Sequence, residues 1–88
     1  MFSGCLGNSI TGTWKSDDSS ATITINKDGT YVASMGVVEL KGDWVEDGDN
    51  YAFYFQGAKI GSAAFEDKKL RVTLGSGLLN ISGTFTKQ

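Results

Sequence analysis

The feature that most constrains this chain is a period-two alternation of apolar and polar residues, cut by turn-forming clusters about every 8–12 residues. That pattern specifies short strands with one buried face and leaves no room for strands alternating with helices. The clearest turn is Asn26-Lys27-Asp28-Gly29-Thr30, where Asp-Gly supplies the positive-φ position of a tight hairpin. Further turns are expected at Glu46-Asp47-Gly48-Asp49-Asn50, Glu66-Asp67-Lys68-Lys69 and Gly75-Ser76-Gly77, with a longer polar loop at Ser16-Asp17-Asp18-Ser19-Ser20. Twelve glycines and no proline fit a chain of many tight turns. No segment repeats apolar residues at i, i+3, i+4 and i+7 over three turns, so no amphipathic helix is expected.

The alternation assigns an inward set strand by strand. Ile10, Gly12 and Trp14 form the first group, then Ala21, Ile23 and Ile25, then Tyr31, Ala33 and Met35. Val38, Leu40, Gly42 and Trp44 follow, then Tyr51, Phe53 and Phe55, then Leu70, Val72 and Leu74, and finally Leu79, Ile81, Gly83 and Phe85. Around Lys59–Phe65 two phases compete: Ile60, Ser62 and Ala64, or Gly61, Ala63 and Phe65, and a β-bulge would reconcile them. The other face carries residues such as Thr22, Thr24, Lys41, Asp43, Arg71, Thr73 and Ser82, the composition of a solvated surface. With no helix to cover the apolar side, an open sheet would leave that side and two edges bare. Closure into a barrel, or folding into two packed layers, removes both problems. The expected fold is therefore all-β: one small closed antiparallel up-and-down meander barrel of about eight short strands over residues 10–88, preceded by a leader at 1–9. At 88 residues there is material for one domain only.

Composition narrows the function classes. A net charge of −2 with eight scattered Lys and Arg argues against a nucleic-acid partner. One cysteine excludes an internal disulfide, and the lack of histidine removes the commonest acid–base catalyst and transition-metal ligand together. No run approaches the roughly 20 apolar residues of a membrane span. Asp47, Gly48, Asp49 and Asn50 have a superficial likeness to a calcium loop, yet no glutamate follows at the bidentate position, and they read as a hairpin. The serines have no evident activating base. No catalytic residue, metal or cofactor is expected, and the chain reads as a non-enzyme.

Ile10-Thr11-Gly12-Thr13-Trp14-Lys15, followed by Asp28-Gly29-Thr30-Tyr31, resembles the calycin group: lipocalins, avidins and short lipocalin-like domains of microbial surface proteins. The ending Gly83-Thr84-Phe85-Thr86-Lys87 is similar to the last strand of an avidin-type barrel. The resemblance implies that Trp14 packs its indole across one end of the barrel. It also implies that an interior lined by Trp14, Tyr31, Trp44, Tyr51, Phe53 and Phe55 could hold a small apolar ligand. The chain is shorter than typical members and lacks the further tryptophans of an avidin site, so biotin binding is not implied. So many large inward side chains favour a mostly packed interior over a cavity. Glycine stands two residues before an inward aromatic at Gly12/Trp14, Gly42/Trp44 and Gly83/Phe85, which reads as room left beside a bulky ring.

Phe2-Ser3-Gly4-Cys5 resembles the end of a bacterial lipoprotein signal, with Cys5 as the lipidated residue and Leu6-Gly7-Asn8-Ser9 as a tether. The implied location is the cell surface or periplasm, with membrane contact only through acyl chains on Cys5; a free thiol in a cytoplasmic protein is the other reading. The expected function is a non-enzymatic, surface-tethered binding barrel for a small apolar ligand. The alternatives are a protein-interaction or inhibitor module working through Ser16–Ser20 and Glu46–Asn50, or a structural surface domain. On the wet face, Val32, Val45 and Tyr54 could align as an apolar stripe for cross-strand support or a protein partner.

Overall fold

A computed structural model describes residues 10–75, 77 and 79–88. It contains eight strands: β1 (Gly12–Ser16), β2 (Thr22–Ile25), β3 (Thr30–Met35), β4 (Val38–Asp47), β5 (Asn50–Phe55), β6 (Ala58–Glu66), β7 (Lys69–Gly75) and β8 (Asn80–Lys87). Each pairs antiparallel with its sequence neighbour and β8 returns to β1, so the sheet is a closed up-and-down barrel, and there is no helix among the described residues. A calycin-like description fits this architecture.

The hairpins follow from local chemistry. In the β2–β3 turn Asn26 and Thr30 close the backbone, while the Asp28 carboxylate accepts from the Thr30 N–H at 3.1 Å and its hydroxyl at 2.6 Å. Two-residue turns at Gly36-Val37 and Gln56-Gly57 were not marked by charged clusters in the sequence. At Gln56-Gly57 both residues have positive φ, 52° and 86°, the type I′ arrangement whose twist matches the flanking strands.

The ambiguous sixth segment resolves as a bulge. Phe53 pairs with Gly61 and Tyr54 with Lys59, leaving Ile60 as the extra residue. Ile60 therefore packs against the core from one phase, and Ala63 and Phe65 from the other. The bulge lets a single strand, β6, satisfy both patterns. β4 and β6 run to 10 and 9 residues, longer than the turn spacing suggested.

The core is the inward set. Trp14, Tyr31, Phe53 and Phe85 are its largest fully buried side chains, backed by Ile23, Ile25, Leu70, Val72 and Leu74. An aromatic side chain hides about 150–250 Å² on burial, worth at most about 4–6 kcal/mol each in hydrophobic transfer. Tyr31 lies directly across from Gly42 and sends its hydroxyl to the Tyr54 carbonyl at 3.2 Å; a Cβ on Gly42 would meet both groups. Room beside a ring is thus visible at Gly42, although the ring is that of Tyr31 on the next strand. At Gly12 the neighbour is the Lys87 side chain, whose ammonium stands 5.8 Å from the centre of the Trp14 ring.

Closure is made at the β1–β8 seam, where Trp14, Lys15 and Ser16 pair with Lys87, Thr86 and Phe85. Two residues expected in a solvated loop turn out to support it. Ser16 is the last residue of β1, buried, and its hydroxyl accepts from the N–H groups of Asp18 and Ser19. Asp17 donates its backbone N–H to the Thr84 carbonyl, and its carboxylate accepts from Lys69 at 2.7 Å, Thr86 at 2.6 Å and Thr84 at 3.1 Å. The loop is drawn onto the wall because one carboxylate can accept from three donors on two strands.

The Lys69 bond, followed by those of Thr86 and Thr84, brings the Asp17 carboxyl down to about 2. A depressed carboxyl stabilises the fold above its unfolded value near 3.8, and that contribution disappears as pH falls toward 2. Acid titration of thermal stability should show a loss between about pH 4 and pH 2 that is reduced in Asp17→Asn. An identical acid profile in that variant would remove Asp17 from the seam.

Candidate functional site

Alternation of strand direction gives the barrel two unlike ends. At one, the β2–β3, β4–β5 and β6–β7 turns carry Asp28, Asp47, Asp49 and Asp67 together with Lys27 and Lys68. Toward the other lie Gly36-Val37, Gln56-Gly57 and the Gly75–Leu79 connection, none of which contains a charged residue. The β1–β2 loop on that side is held to the wall by Asp17.

At the charged end a chain of rings closes the barrel. Trp44 meets Tyr51 at 6.0 Å, Tyr51 meets Phe65 at 6.0 Å, and Phe65 meets Trp14 at 5.8 Å, all edge-to-face. Both indoles are anchored: Trp14 Nε1 donates to the Ile10 carbonyl and Trp44 Nε1 to the Asn26 carbonyl, each at 2.8 Å. The first bond lies within the chain's entry into β1, and the second ties the barrel floor to the β2–β3 turn. Burial, and secondarily the charge of Glu46, raises the Tyr51 hydroxyl above its ordinary value.

The six expected ligand-lining residues are therefore divided. Trp14, Tyr31 and Phe53 are fully buried, Trp14 within the ring chain and Tyr31 and Phe53 in ring contact with each other at 4.9 Å. Burial, with a smaller push from Asp43, moves the Tyr31 phenol up to about 12, so it remains a hydrogen-bond donor to Tyr54 at neutral pH. Trp44 and Tyr51 are half-buried at the charged end, and Phe55 is half-buried at the uncharged end. Phe65 completes the ring chain but escaped the sequence-based set, because the competing phases of β6 hid which way it faced.

The uncharged end is where apolar surface meets water. Met35, Val38, Phe55 and Ile60 are half-buried against the core, and Val37 at the β3–β4 turn is fully exposed. The Gly36-Val37 pair was visible in the sequence as a gap between two strands, although its exposure was not. Of the proposed outer stripe, Val32 lies opposite Lys41 and Tyr54 opposite Asp43, while Val45 lies opposite Ala52. Charged side chains thus separate Val32 from the other two, and the continuous stripe does not form. Among the described residues no three His, Cys, Asp or Glu side chains group as metal ligands, and Cys5 lies outside the described residues.

Because Phe53 is core and Phe55 is rim, Phe53→Ala should cost about 3–5 kcal/mol in denaturant unfolding, and Phe55→Ala distinctly less. Equal losses would mean that the two positions share one environment. Comparison of the chain with protein-family models, curated proteins and solved structures finds no match.

Proposed function

We propose that this chain is a non-enzymatic, surface-tethered β-barrel binding module that takes a small apolar ligand at its uncharged end. The observation that carries the reading is the contrast between the two ends: Met35, Val37, Val38, Phe55 and Ile60 present apolar surface beside the uncharged Gly36-Val37 and Gln56-Gly57 turns, while Asp28, Asp47, Asp49 and Asp67 lie at the opposite turns. Asp17 and Asp18 belong to the β1–β2 loop on the apolar side, where the Asp17 carboxylate is taken up by Lys69, Thr84 and Thr86. Apolar side chains left at one rim mark a place where contact would remove them from water. The seat is the rim, since the interior is already filled by fully buried Tyr31, Phe53 and Phe85 above the Trp14 ring chain.

A lipid anchor on Cys5 suits the same polarity. The chain enters β1 at the charged end, where Gly12 pairs with Ile25 next to the Asn26 turn. An anchor upstream would hold that end toward the membrane and present the apolar rim outward.

The test is titration with a fluorescent fatty-acid analogue. Saturable binding is expected for the chain, weakened about tenfold or more by Val37→Asp, which places a charge on the rim without touching the core. Absence of saturable binding, or equal binding by Val37→Asp, would overturn the rim as a ligand seat. In the same preparation, Cys5→Ser should move the protein from the membrane fraction to the soluble one; unchanged partitioning would overturn the anchor.

A further inference from the structure

A concave feature lies on the outer wall, away from the rim. A trough of about 150 Å³ runs across β5, β6 and β7, lined by Asn50, Ser62, Ala63, Ala64, Arg71 and Thr73. Register explains its shape: Asn50, Ala64 and Arg71 form one row across the three strands, and Ser62 and Thr73 sit in the next. The small side chains at Ser62 and Ala64 leave the depression, and longer ones at Asn50 and Arg71 border it.

The hydrogen-bonding groups of this trough are unspent. Elsewhere on the wall, hydroxyls directly opposite one another bond across the strands: Thr22 with Ser34 at 2.9 Å and Thr13 with Thr24 at 3.4 Å. Ser62 and Thr73 are also directly opposite, yet the side chains of Asn50, Ser62 and Thr73 make no hydrogen bond to any described residue. Arg71 is held in place by Glu66, which accepts from Nε at 3.0 Å and from Nη2 at 2.9 Å. That side-on pairing leaves the Nη1 group unengaged among the described residues and compensates the guanidinium charge.

We infer that this trough is a binding site for a neutral, hydroxyl-rich six-membered ring, a pyranose sugar unit. The trough is open to solvent along its length, so it would seat a single ring lying against the wall rather than enclose it. Chemistry supports polyol recognition. Asn50, Ser62 and Thr73 each offer donor and acceptor, Nη1 offers donors, and sugar hydroxyls supply both complements. The bidentate Glu66 partner disfavours a simple anion, because the arginine charge is already paired. A ligand of this size against an open wall should bind with a Kd of about 1 mM or weaker as a monosaccharide.

The experiment is an amide-resolved NMR titration of the full chain with methyl glucoside, methyl galactoside and methyl mannoside, with acetate and inorganic phosphate as charged probes. At least one pyranoside should give saturable shifts centred on residues 50, 62–64, 71 and 73. Ala64→Leu, which fills the trough from an outward position, should abolish saturation, and Thr73→Val should weaken binding about 2–10-fold through loss of one hydrogen bond. Far-ultraviolet circular dichroism confirms that each variant retains the barrel. Three results would overturn the inference: no saturable pyranoside shifts, shifts that persist in Ala64→Leu, or saturation by acetate or phosphate alone.

Discussion

Everything in this barrel depends on the pairing of β8 with β1. Seven consecutive hairpin pairings would by themselves produce a curled sheet with two bare edges and a half-covered apolar face. The three register pairs at the seam, with Phe85 opposite Ser16, remove both edges and carry Phe85 into contact with the rest of the interior. The backbone bonds from Asp17 to Thr84 and from Gln88 to Thr13 extend the seam at either end. The Asp17 carboxylate then links the first loop to β7 and β8. A small chain has little core to spare, so a short seam reinforced from outside is a reasonable solution to closure.

Closure also creates the polarity on which the functional reading rests. The floor is sealed by anchored indoles and the ring chain between them, a use of aromatic residues that stabilises one end. At the opposite rim the Gly36-Val37 and Gln56-Gly57 turns are short and uncharged, and the Asp17–Asp18 loop beside them is tied back to the wall. Binding at that rim and at the outer trough would draw on different physics, apolar burial in one case and hydrogen-bond matching in the other.

Most of the fold was legible in the sequence because barrel strands obey a strict period of two, and each misplaced residue would move from core to water. Trp14, Tyr31, Phe53, Leu70, Val72 and Phe85 all lie inside as the alternation requires. Ile60 and Phe65 could not be assigned together without the bulge, since one residue of slip reverses the face. The role of Asp17 was hidden for another reason: its partners Lys69, Thr84 and Thr86 are more than fifty residues away, and become neighbours only after closure. Register likewise decided the fate of Val32, Val45 and Tyr54, whose cross-strand opposites alternation alone cannot name. The outer trough depends on small side chains in adjacent rows and had no local signal.

The central claim is that the sheet is continuous around the barrel. The most direct measurement is solution NMR of the seam, combining cross-strand nuclear Overhauser contacts with amide exchange. Closure predicts contacts between Trp14 and Lys87 and between Ser16 and Phe85, with slowed exchange at the Asp17 and Gln88 amides. Absent contacts, together with freely exchanging amides at both positions, would contradict it and describe an open sheet.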